Sequence, residues 1–331
     1  MRPIFLFLLL TSTALLTAQD TNLVSQKKVL KLMGSRFELT AVAENEHLAW
    51  AAINGGIKEI ERIENLISSW DKNSQTSAIN RNAGIRPVKV DEELYDLVFR
   101  ATKVSNLTEG AFDISFASMD RIWKFDGSMQ QMPEIETIEK ARAKIDYQNI
   151  ILDKETQTVF LKEEGMKIGF GAIGKGYAAN RAKALMQKMT GIKGGVVNAS
   201  GDLITWGLSN TPEGWVVNIT NPKDKEVSLG WIQINDLSVV TSGDYERFVE
   251  FDGKRYAHII NPLTGYPTTG IKSVTLICPD AELADALATS IFVLGKEKGL
   301  KLVNLLQQTE CLIITDEDEI LISENLKFNY F

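Results

Sequence analysis

The sequence predicts an α+β fold, a largely antiparallel sheet with packed helices, and three features of the residue pattern predict it. Residues 29–43 alternate in strand fashion and run straight into residues 46–67, where apolar side chains fall at three- and four-residue steps. Residues 215–278 hold six strand-like segments separated by turns, with no helical run among them, and a helical run over 281–307 follows. Strand and helix patterns are therefore mixed without strict alternation, which disfavours a parallel βαβ sheet.

Taken in order, residues 29–43 read as a hairpin turning at Gly34-Ser35, and 46–67 as a long helix. Residues 68–87 are polar, with Asn73, Asn80, Asn82 and Gly84, and read as a loop that ends in a short strand at 88–90. Asp91 stands where an N-cap belongs, before a helix to about Leu107. Pro133 opens a helix to Lys144, and short strands follow at 150–151 and 159–160. From Met166 the pattern is strand, glycine-rich turn, helix over 174–189, then strand at 196–198. Further strands are expected at 215–219, 227–234, 238–241, 247–251, 256–260 and 273–278. The last helical run breaks near Gly295, and strands at 312–315 and 320–321 follow it.

With 331 residues, 44% hydrophobic and 24% charged, the chain has an ordinary globular composition and enough length for a sizeable core. A net charge of -7 and no basic run argue against nucleic acid as a partner. Met1-Arg2, the apolar residues 4–10 and the smaller residues up to Ala18 have the plan of a secretory leader. The expected organisation is a signal peptide at 1–18 and one domain at 19–331, exported to the periplasm or held at the periplasmic side of the inner membrane. Leu16 is large for a cleavage site, so an uncleaved anchor is the alternative. Cys278 and Cys311 lie in β-like apolar runs and are expected as buried thiols.

Four segments could carry chemistry. The densest glycine signal, residues 169–176, formally matches a dinucleotide fingerprint and most of a P-loop. Both matches fail: Gly176 replaces the hydroxyl residue that a P-loop needs after Lys175, and no acidic residue lies in 189–196 to hold a ribose. What remains is a turn whose backbone can approach a ligand closely, leading into a helix N-terminus suited to a phosphate, or a tight turn with no ligand. Residues 241–247 gather hydroxyls, carboxylates and a guanidinium, and as a lone segment they read as a polar hairpin turn. His258, one of two histidines, precedes an Asn-Pro turn and could serve as a general base or phosphate contact. Asp285 and Thr289 are four apart on a helix and could share a hard cation such as Mg²⁺, or form a solvated face.

In this order the segments resemble the ApbE family of FAD:protein FMN transferases. The resemblance rests on residues 110–114, 174–178, 198–202, 242–245, 258–267 and 284–289. It implies a flavin held in a cleft, Mg²⁺ at the pyrophosphate, and transfer of FMN to a Thr or Ser of an acceptor protein, expected to be a membrane-associated electron-transfer subunit. Carried over by position, Met33, Ser69, Trp70, Ala111, Phe112, Asp113, Lys175 and Ile259 would line the FAD site. Ala172, through its carbonyl, would bind Mg²⁺ with Asp285 and Thr289. His258 is the first candidate to accept the hydroxyl proton and Asp244 the second. The chain departs from the family's pattern at Gly169, Asn180 and Asn261, where the family commonly has Asp, and at Ala199-Ser200, where it has a glycine pair. A hydrolase splitting FAD to FMN and AMP, and a non-catalytic exported flavin carrier, are the alternatives that the sequence leaves open.

Overall fold

The computed structural model describes residues 23–119, 122–244, 248–251 and 253–331. The leader expected at 1–18 lies outside them, as does Tyr245-Glu246-Arg247. Strands β1 (Val24–Leu32) and β2 (Ser35–Ala43) form the first hairpin, turning through Met33 and Gly34 at φ 49° and 71°. Helix α1 (Glu46–Ile67) follows, its start fixed by Asn45, whose side chain accepts from the Leu48 N–H. Its apolar residues from Ala49 to Ile67 recur at helical spacing and are buried on one face.

The next block holds α2 (Gln75–Arg81), β3 (Val88–Lys89), α3 (Glu92–Leu107), a 3₁₀ turn (Ile114–Met119), α4 (Ile135–Arg142), β4 (Ile150–Asp153) and β5 (Thr158–Leu161). Then come α5 (Gly174–Met186), β6 (Ile192–Ala199), β7 (Asp202–Gly207), β8 (Trp215–Asn221), β9 (Asp224–Ile234) and β10 (Ser238–Gly243). The remainder is β11 (Phe248–Phe251), β12 (Lys254–Ala257), β13 (Ile271–Cys278), α6 (Ala281–Leu294), α7 (Lys296–Leu305), β14 (Glu310–Thr315), β15 (Ile320–Ile322) and β16 (Asn329–Tyr330).

The main sheet has eight antiparallel strands in the order β1-β2-β6-β7-β10-β13-β14-β15. Helices α1, α5 and α6 lie side by side over one face. Period-two alternation divides the central strands between two cores. Val240, Val274 and Leu276 face α6, whereas Val239 and Ile277 meet Ile219, Ile232 and Ile234 of the small β16-β9-β8 sheet on the other face.

Three local readings from the sequence need correction. Residues 75–81 form a helix rather than loop, because the Ser74 hydroxyl caps it by accepting from the Ser77 N–H. No strand forms at Met166 to Phe170: the Ile168 N–H and C=O bond to the Asn80 amide at 2.8 and 2.9 Å, and the Gly169 N–H donates to the Ile114 carbonyl. A side chain thus satisfies backbone that a strand ladder would otherwise hold. Asp91 does precede α3, but its carboxylate accepts from Gln75 Nε2 at 2.6 Å instead of capping the helix. Both cysteines are buried and free, and burial pushes the Cys311 thiol up to about 12. No helix among the described residues is long and apolar enough to cross a membrane.

Three helices are tied by charge. Arg62 of α1 bridges Glu59 at 2.8 Å and Glu93 of α3 at 2.6 Å, Arg181 of α5 reaches Glu59 at 3.2 Å, and the Tyr177 hydroxyl donates to Glu93 at 2.6 Å. Hydrogen bonding from Arg62, helped by Tyr177, lowers the Glu93 carboxyl from its ordinary 4.5 to about 2. A depressed folded-state value stabilises the protein above about pH 4.5, and the benefit fades as pH falls toward 2. Glu93→Gln is therefore expected to cost about 1 kcal/mol at pH 7, a value discounted for partial exposure. Urea midpoints for this variant and wild type should converge between pH 7 and pH 3, and a constant gap would count against the account.

Candidate functional site

One end of the main sheet carries the β1–β2 turn, the β6–β7 turn and the last residues of β10. With the C-terminus of α1, the 111–116 loop, the glycine turn before α5, the 258–262 turn and α6, these enclose a cleft of about 690 Å³. That volume is within the roughly 300–1,000 Å³ usual for small-molecule sites. Met33, Ser69, Trp70, Ala111, Phe112, Asp113, Ala172, Lys175, His258, Ile259, Asp285 and Thr289 all line it. Asp244 does not.

The Met33 backbone is held in the left-handed region by the Glu64 carboxylate, which accepts its N–H at 3.0 Å. Ser68 turns the chain out of α1, its hydroxyl accepting from the N–H groups of Trp70 and Asp71, and leaves Trp70 77% exposed at the mouth. A flat ring so placed can stack on a base or a flavin. Asp113 lines the cleft but serves its own loop, accepting from the Ser115 N–H and hydroxyl at 2.7 and 2.6 Å and from the Tyr147 N–H at 2.8 Å. Burial nevertheless pushes its carboxyl up to about 6.

The opposite wall is where α5 and α6 meet. Gly176 is in the first turn of α5, and a Cβ there would stand 2.1 Å from the Ala281 carbonyl oxygen. Only glycine permits so close an approach. The Gly176 N–H donates to Asp285 Oδ2 at 3.1 Å, so a buried carboxylate of α6 sits at the positive end of α5. Thr289 is one helical turn beyond Asp285, and Ala172 lies in the turn before α5. A carboxylate, a hydroxyl and a carbonyl are hard oxygen donors of the kind Mg²⁺ takes, and Mg²⁺ commonly needs only one or two protein carboxylates. The residues present therefore fit a magnesium ion. Among the described residues no group of three or more His, Cys, Asp or Glu side chains forms a metal cluster.

Lys175 Nζ lies 2.7 Å from Asp202 Oδ2, beneath the cleft wall. Asp202 is 1% exposed, and burial raises its carboxyl while the Lys175 ammonium pulls it down. His258 is half-buried, with the Phe125 ring edge-on at 6.4 Å. Its turn is fixed by Asn261, whose side-chain oxygen accepts from the Leu263 N–H at 2.8 Å, and by the Trp123 indole donating to the Gly265 carbonyl at 2.9 Å. Asp244 stays off the cleft because its N–H extends the β10–β13 ladder to the Lys272 carbonyl and its carboxylate is buried 3.7 Å from Arg255. Sequence reasoning missed Glu64 and Phe116, which also line the cleft, and it singled out the segments of Ser200, Thr241 and Ser242 without giving these lining residues a role. The one available signal was Glu64, an acid in the last turn of a helix, where the dipole disfavours it.

Gly176→Ala tests the helix contact. On propensity alone it should stabilise α5 by about 1 kcal/mol. The clash with Ala281 predicts the reverse sign, a loss of about 1–3 kcal/mol. Thermal melting distinguishes the two, and a rise in Tm would contradict the close approach.

A model of the ApbE family matches residues 33–313. A protein of Klebsiella pneumoniae named FAD:protein FMN transferase is 32% identical over 314 residues, covering 94% of this chain and 95% of its own. One of the same name from Treponema pallidum is 30% identical over 295 residues, covering 83% and 81%. The crystal structure of the ApbE protein from Thermotoga maritima superposes with a TM-score of 0.83 at 31% identity, over 91% of this chain and 97% of that one. The flavin transferase ApbE of Vibrio cholerae, 24% identical, has the same fold at a TM-score of 0.80, over 91% and 98%. The matched span contains every segment that builds the cleft, and with relatives this similar along nearly the whole length the chain belongs to the ApbE family.

Proposed function

We propose that this chain is an FAD:protein FMN transferase that uses Mg²⁺ and acts on a Thr or Ser of an acceptor protein. The observation that carries the reading is the gathering of Ala172, Asp285, Thr289 and His258 around one cleft at the N-terminus of α5. The relatives' names supply the reaction class. The acceptor oxygen attacks the phosphorus of the FMN half, the bond from that phosphorus to the bridging oxygen breaks, and AMP leaves with the electron pair. The proton of the hydroxyl goes to the His258 imidazole. Ala172, Asp285 and Thr289 would hold Mg²⁺, and the ion would supply charge neutralisation on the pyrophosphate. The backbone at 171–175 and the α5 dipole orient the phosphates, and Trp70 covers a ring of the nucleotide.

We also propose that the chain acts after export by the leader at 1–18, on membrane-associated electron-transfer subunits facing the same compartment. The test of the activity is incubation with FAD, Mg²⁺ and a candidate acceptor, followed by in-gel flavin fluorescence and mass spectrometry. Transfer adds FMN to the acceptor; free FMN with an unlabelled acceptor would instead indicate a hydrolase, and intact bound FAD a carrier.

Asp285→Ala should remove transfer while leaving the fold intact, at a cost well above the roughly 10–100-fold typical of groups around a metal's ligands. Thr289→Ala should cost less, since water can replace a neutral ligand. Near wild-type, Mg²⁺-dependent transfer by Asp285→Ala at limiting metal would sink the metal assignment. His258→Ala is expected to slow transfer about 10²–10⁴-fold with little change in FAD affinity. A rise in the FAD dissociation constant alone would assign His258 to binding.

A further inference from the structure

We propose that Asp202 is a positioning residue: it fixes the Lys175 ammonium at the cleft wall so that the charge meets the transferring phosphoryl group. This rests on the transferase reading above. Asp202 opens β7 and pairs with Ala199 of β6 on one side and Val240 of β10 on the other, so its backbone is clamped inside the sheet. Its side chain is 2% exposed and meets Lys175 Nζ at 2.7 Å. Lys175 is the second residue of α5, its side chain 27% exposed, and it lines the cleft with the neighbouring Gly171 and Ala172. The pair thus joins the start of β7, paired with a strand on each side, to the helix end at the cleft.

A lysine is a point charge on a flexible stem, and its position is not set by its own geometry. A lysine whose only task was to attract an anion would do so better without a carboxylate beside it. Pairing it with Asp202 leaves the couple neutral, which weakens attraction for FAD in the ground state. In exchange the ammonium is already in place when charge shifts in the transition state, where binding energy raises the rate. Asp202 itself is too deeply buried to touch substrate, and it acts through Lys175.

The two roles of Asp202, charge and position, respond oppositely to substitution. In Asp202→Asn the pair with the ammonium loses its negative charge and its charge-assisted contact, so FAD should bind about 3–10-fold more tightly by electrostatics, while transfer falls about 10–100-fold through misplacement. Asp202→Glu keeps the charge but displaces Nζ, so FAD affinity should stay within about twofold while transfer again falls by about tenfold or more. The tightening should vanish in the double variant Lys175→Met/Asp202→Asn. FAD affinity is read by fluorescence titration without acceptor, transfer by acceptor labelling, and folding by thermal melting. Wild-type transfer rates in both Asp202 variants would overturn the proposal. So would parallel losses of affinity and rate in variants that fold, since that is the signature of a merely structural pair. If wild type binds FAD but labels no acceptor, the transferase reading fails, and the affinity pattern of the three variants alone judges the pair.

Discussion

The close contact between the N-termini of α5 and α6 is the constraint on which the rest of the site depends. Where Gly176 faces the Ala281 carbonyl there is no room for a side chain, and the Asp285 carboxylate fills the space beside it by accepting the Gly176 N–H. Asn180 reinforces the contact one turn later, donating to Asp280 at 2.8 Å and accepting the Ala281 N–H at 3.0 Å. Asp280 in turn caps α6 by accepting from the Leu283 N–H. One interhelical seam therefore sets the start of α6, the position of its acid and the aim of the glycine turn. An error of one residue in either helix would move all three.

The seam also accounts for one of the places where this chain leaves the family's pattern, and local contacts account for the others. An Asp at 180 could accept the Ala281 N–H but could not donate to Asp280, and the two carboxylates would repel. At Asn261 only an acceptor is used, for the Leu263 N–H, and an amide oxygen provides it as well as a carboxylate would. In the β6–β7 turn Ser200 adopts φ 58° where glycine would be at ease, and the Asn198 side chain steadies the turn by accepting from Gly201. Gly169 leaves a Cβ-sized space limited by Ala117 at 3.1 Å, so a larger residue there would require that loop to give.

Much of the architecture was legible in the sequence, because hydrophobic periodicity reports burial directly. The hairpin before α1, the length of α1 and the strand-rich second half all follow from that pattern. What periodicity does not report is backbone satisfied by a side chain. Asn80 holding Ile168 made an expected strand unnecessary, and Ser74 made an unexpected helix possible. The site divides along the same line. Motif residues such as Asp285, Thr289, His258 and Lys175 stood out by type and spacing, whereas Glu64 and Asp202 act through partners 31 and 27 positions away that no local pattern reveals. Asp244 looked equivalent to its neighbours in sequence, yet the β10–β13 ladder turns it into a buried partner for Arg255.

The strand order of the main sheet bears on how the molecule reaches this state. Strand β2 pairs with β6, Phe37 opposite Ala199, across the whole intervening run of helices and short strands. The cleft needs Met33 at one wall and Thr289 at another, so no contiguous fragment can form a working portion of it. Closing such loops costs entropy before any contact returns it, and chains of high contact order fold slowly. The first hairpin and α1 must therefore wait, with β2's free edge exposed, until β6 has been made and brought back. During that interval the β2 edge is open to pairing with another chain. The topology that assembles the site thus favours slow, concentration-sensitive refolding.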